Sequence, residues 1–217
     1  MTTFQQDRRS QGRVLVSVTT IAAQLSGVMQ VARGISLGAA NAKATSARAG
    51  EKARGFQPIT DFIDELASQS IIMVNQINVE ALQASRIAIA EFRAQDARER
   101  FNRATQLAQD GARVSGLTRQ LTRVDNSLAK YRKDFFGHIQ TLSGLLDEIN
   151  NRMRAAEAIT SVCRVEATNA EGYEESLGTV ADDLEQAIRV IKKQVQSCSS
   201  ILHETVLLRQ QFVSITH

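Results

Sequence analysis

Apolar and small residues recur near the start of the chain in alternating steps of four and three: Val14, Val18, Ile21, Leu25, Val28, Ala32, Ile35, Ala39 and Ala42. A 3.5-residue repeat of this length is the seam of a coiled-coil or bundle helix, because it keeps one stripe turned toward a partner as the helix winds. The repeat resumes at Phe56, Ile59, Ile63, Leu66, Ser70, Met73 and Ile77, and continues less regularly through Ala84 and Ile87. Between the two runs lies a short corner, Gly50 to Gly55. Pro58 follows inside the first turn of the second run, where a missing N–H leaves no helical bond unmade. The pattern predicts an antiparallel helical hairpin with its tip at that corner.

Composition agrees with an all-α chain. One Pro and no Trp among 217 residues leave little to interrupt helices, and 43% of positions are hydrophobic. The length suffices for a proper core in one or two domains. Lys and Arg (26) are interspersed with Asp and Glu (23), the pattern of a solvated helical surface rather than a nucleic-acid groove interleaved with aromatics. No apolar stretch approaches the ~20 residues needed to cross a bilayer. Met1 to Arg13 is polar, unlike a secretory signal, so the expected compartment is the cytoplasm. Cys163 and Cys198 fall on apolar seams as core residues, without the spacing of a metal site or the placement for a disulfide. His138 and His203 stand without a carboxylate or cysteine arrangement of the kind that holds a metal and are expected at the surface or boundary. Nothing pairs a nucleophile with a histidine, cradles a phosphate or reads H-E-x-x-H, so neither enzyme, cofactor nor metal is expected.

The corner carries a more specific signal. Asn41-Ala42, then Ala47-Arg48-Ala49-Gly50-Glu51-Lys52-Ala53-Arg54-Gly55-Phe56, resembles the hairpin tip of the methyl-accepting chemotaxis receptors of bacteria. The close match covers residues 41–70. In that family the tip contacts the chemotaxis histidine kinase and its coupling protein, and groups receptor dimers together. The resemblance therefore implies a partner-binding tip. The chain departs from the family pattern at Thr45 and over Thr60-Asp61-Phe62-Ile63-Asp64, where an acidic position has become Phe62 and a basic one Asp64. Upstream, Arg33, Gly38 and Ala40 replace an apolar surface. Family methylation falls on Glu/Gln pairs far from the tip, and Gln5-Gln6 and Gln210-Gln211 are the pairs so placed.

A fainter copy of the tip follows 121 residues later. Val165-Glu166-Ala167-Thr168-Asn169-Ala170 and Val180-Ala181-Asp182-Asp183-Leu184 align without a gap. The same offset carries Val14 onto Phe135, Val18 onto Ile139, Leu25 onto Leu146, Phe56 onto Leu177 and Ile77 onto Cys198. Because 121 is not a multiple of seven, heptad periodicity alone does not force this agreement. The expected architecture is a single domain over 1–217, a long antiparallel four-helix bundle of two tandem hairpins (10–110 and 117–217) with both tips at the same end. The family builds such a bundle from two chains, so this chain is expected to imitate a receptor dimer as a monomer, or to exchange hairpins in a dimer. Asp110–Gly116 is the expected connection, with helix 3 starting near Leu117 and arms about 70 to 80 Å long.

The partner-binding candidates are Arg48, Glu51, Arg54, Phe56, Phe62, Glu166 and Asp183. Gly50 and Gly55 let the backbone reverse, and Glu51 with Arg54 can pin the corner. Phe62 lies beside the seam, as either a flanking core residue or an exposed aromatic. The expected function is a soluble chemoreceptor-like signalling protein that docks on the coupling protein, the kinase or receptor arrays. Two alternatives remain: a small-molecule sensor with a pocket between helices near Gly38, Ala39 and Ala42, or a structural helical adaptor.

Overall fold

A computed structural model describes the backbone over residues 3–107 and 111–215, and side chains at 16, 17, 19–107 and 114–207. Val14, Val18 and the two Gln pairs lie outside the described side chains. The described residues form four long helices: α1 (Thr3–Ala49), α2 (Phe56–Leu107), α3 (Gly111–Asn169) and α4 (Glu174–Ile215), with a short 3-10 turn at Gly50–Ala53. The protein is an all-α, antiparallel four-helix bundle. None of its described helices is long and apolar enough to cross a membrane.

The seam read from the sequence is the core. Ile21, Leu25, Val28 and Ala32 are fully buried on α1, as are Leu142, Leu146, Ile149 and Met153, their partners at the 121-residue offset on α3. Phe56 and Leu177 are likewise fully buried, as are Ile77 and Cys198. Burying each large aliphatic or aromatic side chain contributes roughly 1.5–3 kcal/mol, and this distributed burial holds helices that the few corner contacts alone cannot. Pro58 falls at the third residue of α2, in the turn whose N–H groups have no intrahelical acceptor.

α3 begins earlier than expected. Gly111–Gly116 is helical rather than a loop. A glycine inside a helix costs about 1 kcal/mol against alanine, too little to stop a long helix whose neighbours favour it.

Two compact units can be distinguished. One comprises Ile21–Asn78 and Ser143–Ser200; the other comprises Val79–Leu142 with the terminal segments Met1–Thr20 and Ile201–His217. In the first unit, α1 meets α2 through Lys43–Asp61 (2.6 Å) and a Ser36 hydroxyl donating to Asp64 (2.6 Å). α3 meets α4 through Arg164–Asp182 (2.8 Å) and Lys192–Glu157 (2.7 Å). α4 closes on α1, where the Cys198 thiol points at Gln24 Oε1 (3.3 Å) and Gln194 lies over Gly27. In the second unit, α2 and α3 are joined by Glu80–His138 (2.6 Å), Glu91–Arg132 (3.4 Å) and Arg98–Asp125 (2.7 Å).

Candidate partner-binding tip

The first corner is built by one left-handed residue. Gly50 has φ +59°, the conformation that ends helices at a glycine, and the chain then makes a single 3-10 turn into α2. Ser46 Oγ donates to the carbonyl of Ala53 (2.8 Å), a buried bond tying the last turn of α1 to the corner. Gly55 has no such backbone demand, contrary to its expected role in the reversal. Its role is spatial: the Glu166 carboxylate of α3 occupies the place where a Cβ would stand.

The second corner is shorter. α3 ends at Asn169, Gly172 takes φ +81°, and the Tyr173 N–H donates to Ala170 (2.8 Å) before α4 starts at Glu174. Hydrogen bonds from the backbone at Glu174 itself and at Gly172, with the charge of Lys52 adding, hold the Glu174 carboxyl below the usual carboxylate range.

The two corners meet within one unit. Lys52 Nζ of the first lies 3.2 Å from Glu171 Oε2 of the second. Arg48 is exposed and donates through Nε to the Ala44 carbonyl (3.4 Å). Glu51 and Arg54 form the expected corner pair (3.5 Å), both largely in solvent. Asp183 is exposed, whereas Glu166 and Phe62 are half-buried. Phe56 is fully buried, which places it in the core, out of a partner's reach. Ala39 and Ala42 are core residues too, and a Cβ on Gly38 would meet nothing within 4 Å.

Thr60, Asp61 and Asp64, in the stretch that departs from the receptor-like pattern, have internal partners. Asp61 holds Lys43, and its hydrogen bond raises the Lys43 pKa above the ordinary lysine value. Asp64 accepts from Ser36, and Thr60 is buried with its hydroxyl on the Gln57 carbonyl (2.7 Å). The 121-residue offset maps Lys43 onto Arg164 and Asp61 onto Asp182, so the two ion pairs are equivalents. In the second copy Glu185 joins as well, bonded by both Arg164 and Arg189.

Sequence reasoning missed Lys52, Glu171 and the seat of Glu166 on Gly55, because these join residues more than a hundred positions apart. It also left His138 without a carboxylate, whereas α2 brings Glu80 to its Nδ1. Both cysteines are free and buried, and burial pushes each thiol up to about 11. Among the described residues no cluster of His, Cys, Asp and Glu is arranged to hold a metal ion. Compared with family models, curated proteins and solved structures, the chain matches none of them.

Proposed function

We propose that the protein is a chemoreceptor-like signalling module whose paired corners dock on a chemotaxis coupling protein, a histidine kinase or receptor arrays. The supporting observation is the pairing itself: two hairpin corners stand side by side in one compact unit, joined by Lys52 and Glu171, with Arg48, Glu51, Arg54 and Asp183 open to solvent. Within one chain this is the arrangement that a receptor dimer makes from two. The corners differ in charge, since Arg48, Lys52 and Arg54 mark the first and Glu171, Glu174 and Glu175 the second. They therefore offer a partner two unlike faces.

The test is light-scattering mass of the full chain, alone and mixed with a chemotaxis coupling protein or histidine kinase. A rise in mass with either partner, lost on Arg48→Glu or Phe62→Ala while the melting temperature holds, is the expected result. No rise with either partner overturns the reading.

A further inference from the structure

We propose that the outer face of α2 over residues 79–93 is a docking surface for an anionic lipid bilayer. The first observation is where the charge sits. Residues 79–142 hold eleven Lys/Arg against seven Asp/Glu, whereas residues 143–200 hold six against ten. The small positive charge of the whole chain conceals a strongly basic segment.

The second observation is how that segment uses its charges. Its acidic side chains are largely engaged, Glu80 with His138, Glu91 with Arg132, Asp125 with Arg98 and Asp96 with Arg100. Arg86 and Arg93 of α2 are exposed and form no ion pair among the described residues. The same holds for Arg119, Arg123, Lys130 and Lys133 of α3. Net positive potential is therefore presented outward, where it is not compensated by the protein.

The third observation is periodicity. On α2, Val79, Leu82, Arg86, Ile89 and Arg93 follow steps of three and four, a second seam turned away from the buried one at Ile77, Ala81, Ala84 and Ala88. Val79, Leu82 and Ile89 are 58%, 52% and 38% exposed, so this aliphatic stripe faces water. On α3, Arg119, Arg123, Lys130 and Lys133 also share one face at heptad-like spacing, with no aliphatic residue among them.

An aliphatic stripe studded with arginines is the composition of a helix lying in a membrane interface, its apolar side chains entering the acyl boundary and its cations on the headgroups. The α2 stripe sets exposed aliphatic side chains beside unpaired cations, two demands that anionic headgroups over an acyl boundary meet together. A nucleic acid would satisfy the cations but gain nothing from Val79, Leu82 and Ile89.

The experiment is co-sedimentation of the full chain with phosphatidylcholine vesicles, with and without phosphatidylglycerol. Binding to the anionic vesicles alone, weakening as salt rises, is expected. Arg86→Gln and Arg93→Gln should each lower the partition coefficient about fivefold. Leu82→Ser with Ile89→Ser should lower it further, with only a small drop in melting temperature because these side chains are 52% and 38% exposed. Equal binding to neutral vesicles, or no binding to either kind, overturns the proposal. So does full binding by the Leu82→Ser/Ile89→Ser variant, which would leave a purely electrostatic surface suited to a polyanion. None of these outcomes involves the chemotaxis partners, so the docking tip and the lipid face stand or fall separately.

Discussion

The carboxylate of Glu166 fills the place where a side chain on Gly55 would stand, so the first corner packs closely against α3 of the other hairpin. Gly55→Ala must displace Glu166 and should lower stability by about 1 kcal/mol. In a Glu166→Ala background the same change should be neutral or stabilising by about 0.5 kcal/mol, since alanine restricts the unfolded chain. A double-mutant cycle on urea midpoints measures the coupling. Equal effects in both backgrounds would show that Gly55 is needed for something other than room.

Gly50 and Gly172 have positive φ, while Gly34 lies within α1 with nothing within 4 Å of an added Cβ. Gly50→Ala and Gly172→Ala should each cost roughly 1 kcal/mol, with Asn better tolerated than Ala. Gly34→Ala should instead stabilise by about 0.5–1 kcal/mol. Thermal melts of the three variants test the contrast, and a loss at Gly34 would contradict it.

Glu91 is almost fully buried on α2, and Arg132 of α3 reaches it. Arg132→Ala removes a cation from a carboxylate that burial already disfavours and should cost about 2–4 kcal/mol. Pairing it with Glu91→Leu should recover most of the loss, because a packed aliphatic side chain needs no counter-ion. Denaturant titration of the single and double variants measures this.

Cys163 and Cys198 ionise in the unfolded chain near the ordinary thiol value of 9.0 but only at about 11 when folded. The folded state thus holds its thiol protons longer. Their contribution is fully present below pH 9 and is lost as pH rises from 9 toward 11. The loss of stability over that interval should be shallower for Cys163→Ala/Cys198→Ala than for the parent chain. Native protein should also react with a disulfide reagent far more slowly than urea-unfolded protein. Rapid labelling of the native thiols would refute their burial.

The bundle was legible in the sequence wherever one helix face decides the outcome. Ile21, Leu25, Ile63 and Leu146 were assigned to the core from spacing alone and are buried there, because burial of a stripe is a periodic property of each helix. Phe56 shows the limit: its place on the seam and its place in a receptor-like motif gave it two roles, and packing left it only the first. Relations between hairpins were not legible. His138 and Glu80 are 58 positions apart, and Lys52 and Glu171 are 119 apart. Neither pair follows from a pattern within one helix, since each needs the rotation and axial offset of two helices at once. Lys43–Asp61 and Arg164–Asp182 are intermediate, because the offset of 121 predicts the second pair once the first is known.

The pairing of Lys52 with Glu171 has an electrical consequence. It sets a cationic corner against an anionic one a few ångströms away, giving the tip a transverse dipole whose field survives although the pair itself is neutral. A charged partner arriving by diffusion would feel a torque before it feels contact, and would be turned into one of two opposite orientations according to its own charge distribution. Exchanging the signs of the two residues would keep the bridge while opposing the prevailing direction of that dipole, separating what the pair does for the fold from what it does for the approach.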